Sequence, residues 1–215
     1  MAMTPAQAFY FDSVDSTNEA AKRLIHDHRI HSPAYIVARE QTAGRGQRGR
    51  LWLSPRDAGI YLTVVDFPDS TAAPAPQDFT LGAAHACVEA LRQCAGVDVF
   101  IKPINDLYVG RRKLGGILTE VVMEGDFIRA LLTGIGINVR LAPRPLPRDA
   151  PEPISLQELI PPAQFCYLDG RHLVTEIVRR VLSSNAVVAR GDVLQVQRES
   201  ERCRLPDAAS VDLRT

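Results

Sequence analysis

Leu114 to Met123 and Phe127 to Val139 are two long runs of aliphatic and β-branched residues, and only Glu124-Gly-Asp126 separates them. A three-residue connection containing glycine joins antiparallel strands, whereas a parallel crossover needs a dozen residues or more. The pair therefore reads as a long hairpin and excludes a purely parallel, doubly wound sheet. The shorter elements agree with this. Phe9 to Asp12, Ala34 to Ala38, Gly59 to Val65, Val97 to Ile101 and Leu107 to Val109 carry strand composition, with helical patterns between some of them and no steady β–α–β alternation. The expected class is α+β, with a mixed or antiparallel sheet packed against helices.

The helical signals are local. Ser16 and Glu19 have the spacing of a capping box, followed by Ala20, Ala21 and Leu24. Phe79, Ala83, Ala84, Cys87, Val88 and Leu91 recur at helical period over Phe79 to Cys94. Ile154 to Leu159 and Leu173 to Leu182 also read as helices. Pro68 to Gln77 reads as a loop, and the prolines from Pro143 to Pro153 as a linker. The division expected is a core over 1–142 and a linker with a helical extension of the same domain over 143–215.

Between the second and third strands lies Gln41-Thr-Ala-Gly-Arg-Gly-Gln-Arg-Gly-Arg-Leu-Trp-Leu-Ser-Pro55. Gly44, Gly46 and Gly49 satisfy G-x-G-x-x-G, but a dinucleotide turn needs a helix directly after the glycines to hold the pyrophosphate. Here Arg50-Leu-Trp-Leu-Ser-Pro55 and another strand follow, so the dinucleotide reading fails. The plain alternative is a flexible surface turn. Against it stand Arg45, Arg48 and Arg50, which repel one another until an anion arrives, as expected of a cationic loop that folds over a phosphate or carboxylate.

The formal net charge of the chain is zero, which gives no electrostatic reason to expect a nucleic-acid or membrane partner. No apolar run approaches the length of a membrane-spanning helix, and the N-terminus lacks a secretory pattern. Cys87, Cys94, Cys166 and Cys203 show no metal-ligand spacing. Cys87 and Cys94 read as core residues, and a reduced, cytoplasmic setting is expected.

The arginine–glycine loop resembles the biotin-binding loop of biotin–protein ligases, whose pattern is near G-R-G-R-x-G-R followed by Trp and Ser-Pro. Three more segments resemble that family in the same order. Asp15-Ser-Thr-Asn-Glu-Ala20 is similar to its first biotin-contacting element, Ile101 to Glu120 to its K-W-P-N-D…K-L-G-G-I-L element, and Gly134-Ile-Gly-Ile-Asn-Val139 to a strand near the nucleotide. The resemblance covers roughly residues 10 to 140. It implies a class II synthetase-like catalytic domain of the biotin/lipoate ligase family. It further implies ATP, Mg²⁺ and biotin as reactants, and the biotin carboxyl carrier domain of a biotin-dependent carboxylase as partner. A homodimer is compatible with it, and the oligomeric state is left open.

Carried over residue by residue, the resemblance assigns Ser16, Thr17, Asn18, Gln41, Gly44, Arg45, Gly46, Lys113, Gly115 and Gly116 to biotin. It assigns Arg48, Arg50, Trp52, Lys102, Asn105 and Asn138 to ATP. Lys113, Arg45 and Asp106 are the implied catalytic residues, with Lys113 meeting the carboxylate and the α-phosphate and Asp106 the implied metal ligand. Plainer roles stand beside three of these. Ser16 can simply cap its helix, Trp52 can simply fill core, and Asn105-Asp106 can simply form a turn.

The sequence departs from the family pattern in three places. Gln47 stands where a second arginine is common, which implies weaker retention of an acyl-adenylate. Lys102-Pro-Ile-Asn-Asp106 replaces K-W-P-N-D, so proline is moved back and the direction of Lys102 is left open. Only some nine residues precede the first strand, too few for a DNA-binding domain, and Ser183 to Thr215 has little strand patterning, so a C-terminal β-barrel is expected to be missing. Three functions remain: a biotin–carrier ligase, a catalytically weak module that binds biotin or its adenylate, and a lipoate or octanoyl ligase or transferase.

Overall fold

Side-chain alternation sorts the sheet into two faces, and each face collects a different layer of helices. The computed structural model describes residues 6–68, 75–125, 127–140 and 150–204. Its elements run β1 (Gln7–Phe11), α1 (Thr17–His26), β2 (Ala34–Ala38), β3 (Gly59–Asp66), α2 (Pro76–Ala95), β4 (Phe100–Lys102), β5 (Asp106–Val109), β6 (Arg112–Glu124), β7 (Phe127–Asn138), α3 (Leu156–Leu159), α4 (Pro162–Phe165), α5 (Gly170–Ala189) and α6 (Val193–Arg202).

The strands form one seven-stranded sheet in the order β1-β2-β3-β7-β6-β5-β4. Only β1 and β2 pair in parallel, and every other neighbouring pair is antiparallel. The mixed sheet expected from the β6–β7 hairpin is present, with Gly125 at the turn in the left-handed region that glycine tolerates. Asp126 of that turn, most of the Pro68–Gln77 loop and most of the proline-rich linker lie outside the described residues.

Ile60, Leu62 and Val64 of β3, Ile117 of β6 and Ile135 and Ile137 of β7 point to one side. There they pack on Ala83, Cys87 and Leu91 of α2 and on Leu173, Ile177 and Val181 of α5. On the other side Ile36, Val65, Ala130 and Leu132 pack on Ala21, Leu24 and Ile25 of α1. Each fully buried aliphatic side chain contributes roughly 1.5–3 kcal/mol. Cys87 is wholly buried among them, and burial pushes its thiol up to about 12, as befits a core residue.

Three sequence expectations need correction. The strand expected over Val97–Ile101 shrinks to Phe100–Lys102, because Val97 and Val99 are buried in the core without joining the ladder. The helix expected over Leu173–Leu182 is longer at both ends, running Gly170–Ala189, with α6 after it. The last part of the expected linker is structural. Lys113 N donates to Glu152 O at 2.8 Å, and Ile154 N donates to Lys113 O at 2.9 Å.

Candidate active site

Among the described residues, α1 covers only part of its face of the sheet. Beyond the start of α1 that face carries a cavity of about 820 Å³. Its floor is made by alternate residues of β6 and β7, namely Gly116 and Leu118 on one and Gly134, Gly136 and Asn138 on the other. Two glycines at i and i+2 in a strand strip side chains from one face only. The β7 repeat Gly134-Ile-Gly136 therefore clears the floor while its isoleucines fill the core.

A β-bulge decides which way the central lysine points. Leu107 pairs with Gly115 and Tyr108 with Lys113, which leaves Leu114 as an extra residue in the ladder. Strict alternation would send Lys113 into the core beneath α2. The inserted residue reverses the phase, so Leu114 is fully buried in the core and Lys113 faces the cavity. There Lys113 Nζ lies 2.7 Å from Asp106 Oδ1 and 5.6 Å from the centre of the Trp52 ring. A cation that is four-fifths buried is costly unless paired, and Asp106 supplies the pair.

The first helix brings its start to the same cavity. Ser16 occupies the helix-capping position, but its hydroxyl makes no capping hydrogen bond, so the expected Ser16–Glu19 capping box does not form. Gln41, in the loop after β2, serves the helix start instead. Its Oε1 accepts from Thr17 N at 2.9 Å and Thr17 Oγ1 at 3.1 Å, while its Nε2 donates to Ser54 at 2.8 Å. Ser16 N donates to Asp15 Oδ1 at 2.8 Å, and the Arg23 guanidinium holds the Asp15 carboxyl down to about 2. Glu19 turns outward to Lys22 and to Arg45 Nη1, the latter at 3.4 Å. Asn18 is buried, accepts from Thr63 Oγ1 at 2.6 Å and donates to Glu120 Oε2 at 2.7 Å. Burial acts against the Lys22 ammonium, but Glu19 and Glu120 outweigh it and raise its pKa.

The arginine–glycine loop folds as a short hairpin. Gly46 N donates to Arg50 O at 2.7 Å and Trp52 N to Gly44 O at 2.9 Å. Arg45, Gly46, Arg48 and Arg50 line the cavity mouth, with Gln47 among them. Trp52 lies directly on Gly136, where any side chain would collide with the indole, and Trp52 Nε1 is buried without a hydrogen-bond partner.

Lys102 lines the opposite wall, its Nζ 5.2 Å from the centre of the Tyr108 ring, so the displaced proline leaves it facing the cavity. Asn105 Nδ2 donates to Ile117 O at 3.1 Å and ties the turn between β4 and β5 to β6. Asn138 Nδ2 donates to Ile154 O at 3.0 Å, which pins Ala150, Pro151 and Pro153 as a further wall.

All the residues expected at the site line this cavity except Gly44 and Gly115. The space beside Gly44 is used by the protein itself, since an added Cβ would stand 2.5 Å from Trp52 O. Gly115 faces the helix layer, where an added Cβ would stand 2.6 Å from Gly136 O. Sequence reasoning put Gly134, Gly136, Glu19 and Glu120 inside matched motifs without assigning them a role, and it missed the wall of Ala150, Pro151 and Pro153. The i, i+2 glycine repeat was a usable signal for the first two, and nothing local marked the others.

A model of the biotin/lipoate A/B protein ligase family matches residues 10–138. The chain is 37% identical over 138 residues to the bifunctional ligase/repressor BirA of Bacillus subtilis, a match spanning 64% of this chain and 42% of that protein. It is 39% identical over 132 residues to the biotin–[acetyl-CoA-carboxylase] ligase of Paracoccus denitrificans, spanning 60% of this chain and 53% of that protein. These matches span about two-fifths to half of the relatives' length. The fold is shared with the biotin protein ligase of Aquifex aeolicus in complex with biotin and ATP, with a TM-score of 0.71 at 24% identity, covering 93% of this chain and 78% of that one. The class II synthetase-like architecture expected from the four motifs is thus present. With more than half of its residues matched by the family model, and the matched motifs converging on one cavity, the chain belongs to the biotin/lipoate A/B protein ligase family.

Proposed function

We propose that the protein is an ATP-dependent biotin–carrier-protein ligase whose chemistry takes place beside Lys113. The observation that carries this reading is the Lys113–Asp106 pair, 2.7 Å apart on the floor of a cavity mouthed by Arg45, Arg48 and Arg50. In the first step a biotin carboxylate oxygen attacks the α-phosphorus of ATP, and the bond to the pyrophosphate oxygen breaks. In the second a carrier lysine amine attacks the acyl carbon, AMP leaves with the bonding pair, and the amine proton passes to solvent. Both steps gather anionic oxygens, which cations and N–H donors stabilise in a water-poor site.

Ser16, Thr17, Asn18 and Gln41 form the polar end suited to a ureido ring, and Gly46, with Gly116 on the floor, keeps the way to it open. Gly44 and Gly115 support the same end through packing. Lys113 bridges the carboxylate and the α-phosphate, and Arg45 turns from Glu19 to the reacting acid. Arg48, Arg50, Trp52, Lys102, Asn105 and Asn138 hold the nucleotide.

Lys113 occupies Oδ1 of Asp106, leaving one carboxylate oxygen for a cation. That single hard donor fits Mg²⁺, which takes one or two carboxylates and completes its shell with water and phosphate oxygens. When bound, the ion neutralises phosphate charge. The partner proposed is the carrier domain of a biotin-dependent carboxylase, in the cytoplasm. The four free cysteines are in keeping with a reducing setting. The described residues include no helix long and apolar enough to cross a membrane.

Biotin-dependent exchange of pyrophosphate into ATP tests this directly, since it needs no carrier. Exchange with biotin that Lys113→Ala lowers by about 10²–10³-fold is the expected result. Binding of biotin by calorimetry without any exchange would leave only a binding module, and exchange driven by octanoate or lipoate in place of biotin would overturn the substrate.

A further inference from the structure

We propose that His85, Glu89 and Cys203, with Glu199 completing the set, bind one zinc ion between α2 and the end of α6, on the face of the molecule away from the biotin cavity. Each helix supplies a pair one turn apart, His85 and Glu89 on α2 and Glu199 and Cys203 on α6 and its C-terminal cap. Residues at i and i+4 share a helix face, so two such pairs on packed helices converge on one point.

The donor atoms of His85, Glu89 and Cys203 all lie within 4.8 Å of one another, and His85 Nδ1 stands 3.9 Å from Glu199 Oε2. Tetrahedral zinc with nitrogen, oxygen and sulfur donors holds its ligands about 3.3–3.6 Å apart, so closure asks for a shift of roughly an ångström. The side chains are half-buried at the edge of a cavity of about 210 Å³ that His85, Glu89 and Glu199 help to line. An imidazole, a thiolate and carboxylates are a borderline-soft set that favours zinc over Mg²⁺ or Ca²⁺.

The neighbours leave room for the ion. Arg92 Nη2 holds one oxygen of Glu89 at 2.5 Å, and Gln195 Nε2 donates to Oε1 of Glu199 at 3.0 Å. Each carboxylate keeps its other oxygen for the metal. Burial, and then the Glu89 carboxylate, push the Cys203 thiol above its ordinary range, with Arg92 opposing. Zinc takes the sulfur as thiolate, so binding expels the thiol proton.

The site has a route to the rest of the protein. Cys203 O accepts from Ile101 N at 2.7 Å, and Arg204 bridges to Ile101 in parallel. Zinc on Cys203 therefore clamps the end of α6 against β4, whose next residue, Lys102, lines the biotin cavity.

Cobalt(II) added to the full, chelator-treated chain tests this. The expected spectrum carries one equivalent of tetrahedral cobalt with a near-ultraviolet thiolate charge-transfer band that zinc displaces. The band is lost in Cys203→Ser and kept in Cys166→Ser. In calorimetry, His85→Gln weakens zinc binding by about tenfold or more. The His85 side chain is about a quarter exposed on α2, and the fold of the variant is checked by the unchanged circular dichroism of the metal-free protein. The absence of a thiolate band in the parent, its survival in Cys203→Ser, or an undiminished zinc affinity in His85→Gln would each overturn the site.

Discussion

Lys113 and Asp106 face each other across the β5–β6 ladder at 2.7 Å, on the same side of the sheet only because Leu114 bulges out of register between them. On the proposed function, removing the ammonium leaves the carboxylate and the α-phosphate to meet without a bridging cation. Lys113→Ala is expected to lower biotin-dependent exchange by about 10²–10³-fold, the scale of losing one preorganised charge stabiliser. Asp106→Asn keeps the shape and removes the partner charge, and should lower the exchange rate more than it raises the KM for biotin. An Asp106→Asn protein with the parent exchange rate would detach the pair from catalysis.

Gly134 has no room for a side chain. An added Cβ would stand 2.6 Å from Asn18 Oδ1, within the buried Asn18–Thr63–Glu120 network. Gly134→Ala should strand at least one buried polar group and cost about 1–3 kcal/mol. In a domain of this size that appears as a fall in Tm of about 2–4 °C per kcal/mol. Thermal unfolding is the measurement, and an unchanged Tm would mean that the network repacks freely.

Asp15 ties the entry of α1 to Arg23 at 2.7 Å, and its carboxyl titrates at about 2 in the folded chain against 3.8 for an ordinary aspartate. A depressed carboxyl stabilises the fold above the unfolded pKa, and that contribution is lost as pH falls from about 4 to about 2. Both side chains are about half exposed, so solvent screening leaves roughly 0.2–1 kcal/mol. Urea unfolding at about pH 6 and about pH 2.5 should show a smaller acid loss for Asp15→Asn than for the parent. An identical pH dependence in the two proteins would remove this role.

Gln47 sits in the cavity mouth between arginines on either side. Gln47→Arg adds a guanidinium at that mouth, available on the proposed function to the phosphate of an acyl-adenylate. The expected effect is a slower release of biotinyl-adenylate, by roughly 3- to 10-fold for one added charge-assisted hydrogen bond partly exposed to solvent. Chase experiments with unlabelled biotin and ATP measure it, and faster release would show that the loop is already saturated with charge.

Much of the fold was legible from local pattern. The Glu124-Gly-Asp126 break announced the β6–β7 hairpin, Ala34–Ala38 has the bounds expected of it, and the apolar period from Phe79 marked α2. Periodicity of this kind is written within a few residues, because alternation and the 3.6-residue turn are properties of a single strand or helix. The site motifs were legible for the same reason, as clusters of glycine, arginine and lysine in short stretches.

The chain read as a string determined which residues carry charge, which runs form strands and which loop concentrates arginines. Tertiary structure alone decided that Gln41 reaches the entry of α1, that Trp52 settles on Gly136, and that Ala150, Pro151 and Pro153 wall the cavity rather than merely link its parts. It also decided the direction of Lys113, since a single extra residue in a ladder reverses every side chain beyond it. The first three outcomes depend on pairings between residues far apart in sequence, which no local pattern encodes, and the last on a register shift within the β5–β6 hairpin that side-chain alternation does not reveal.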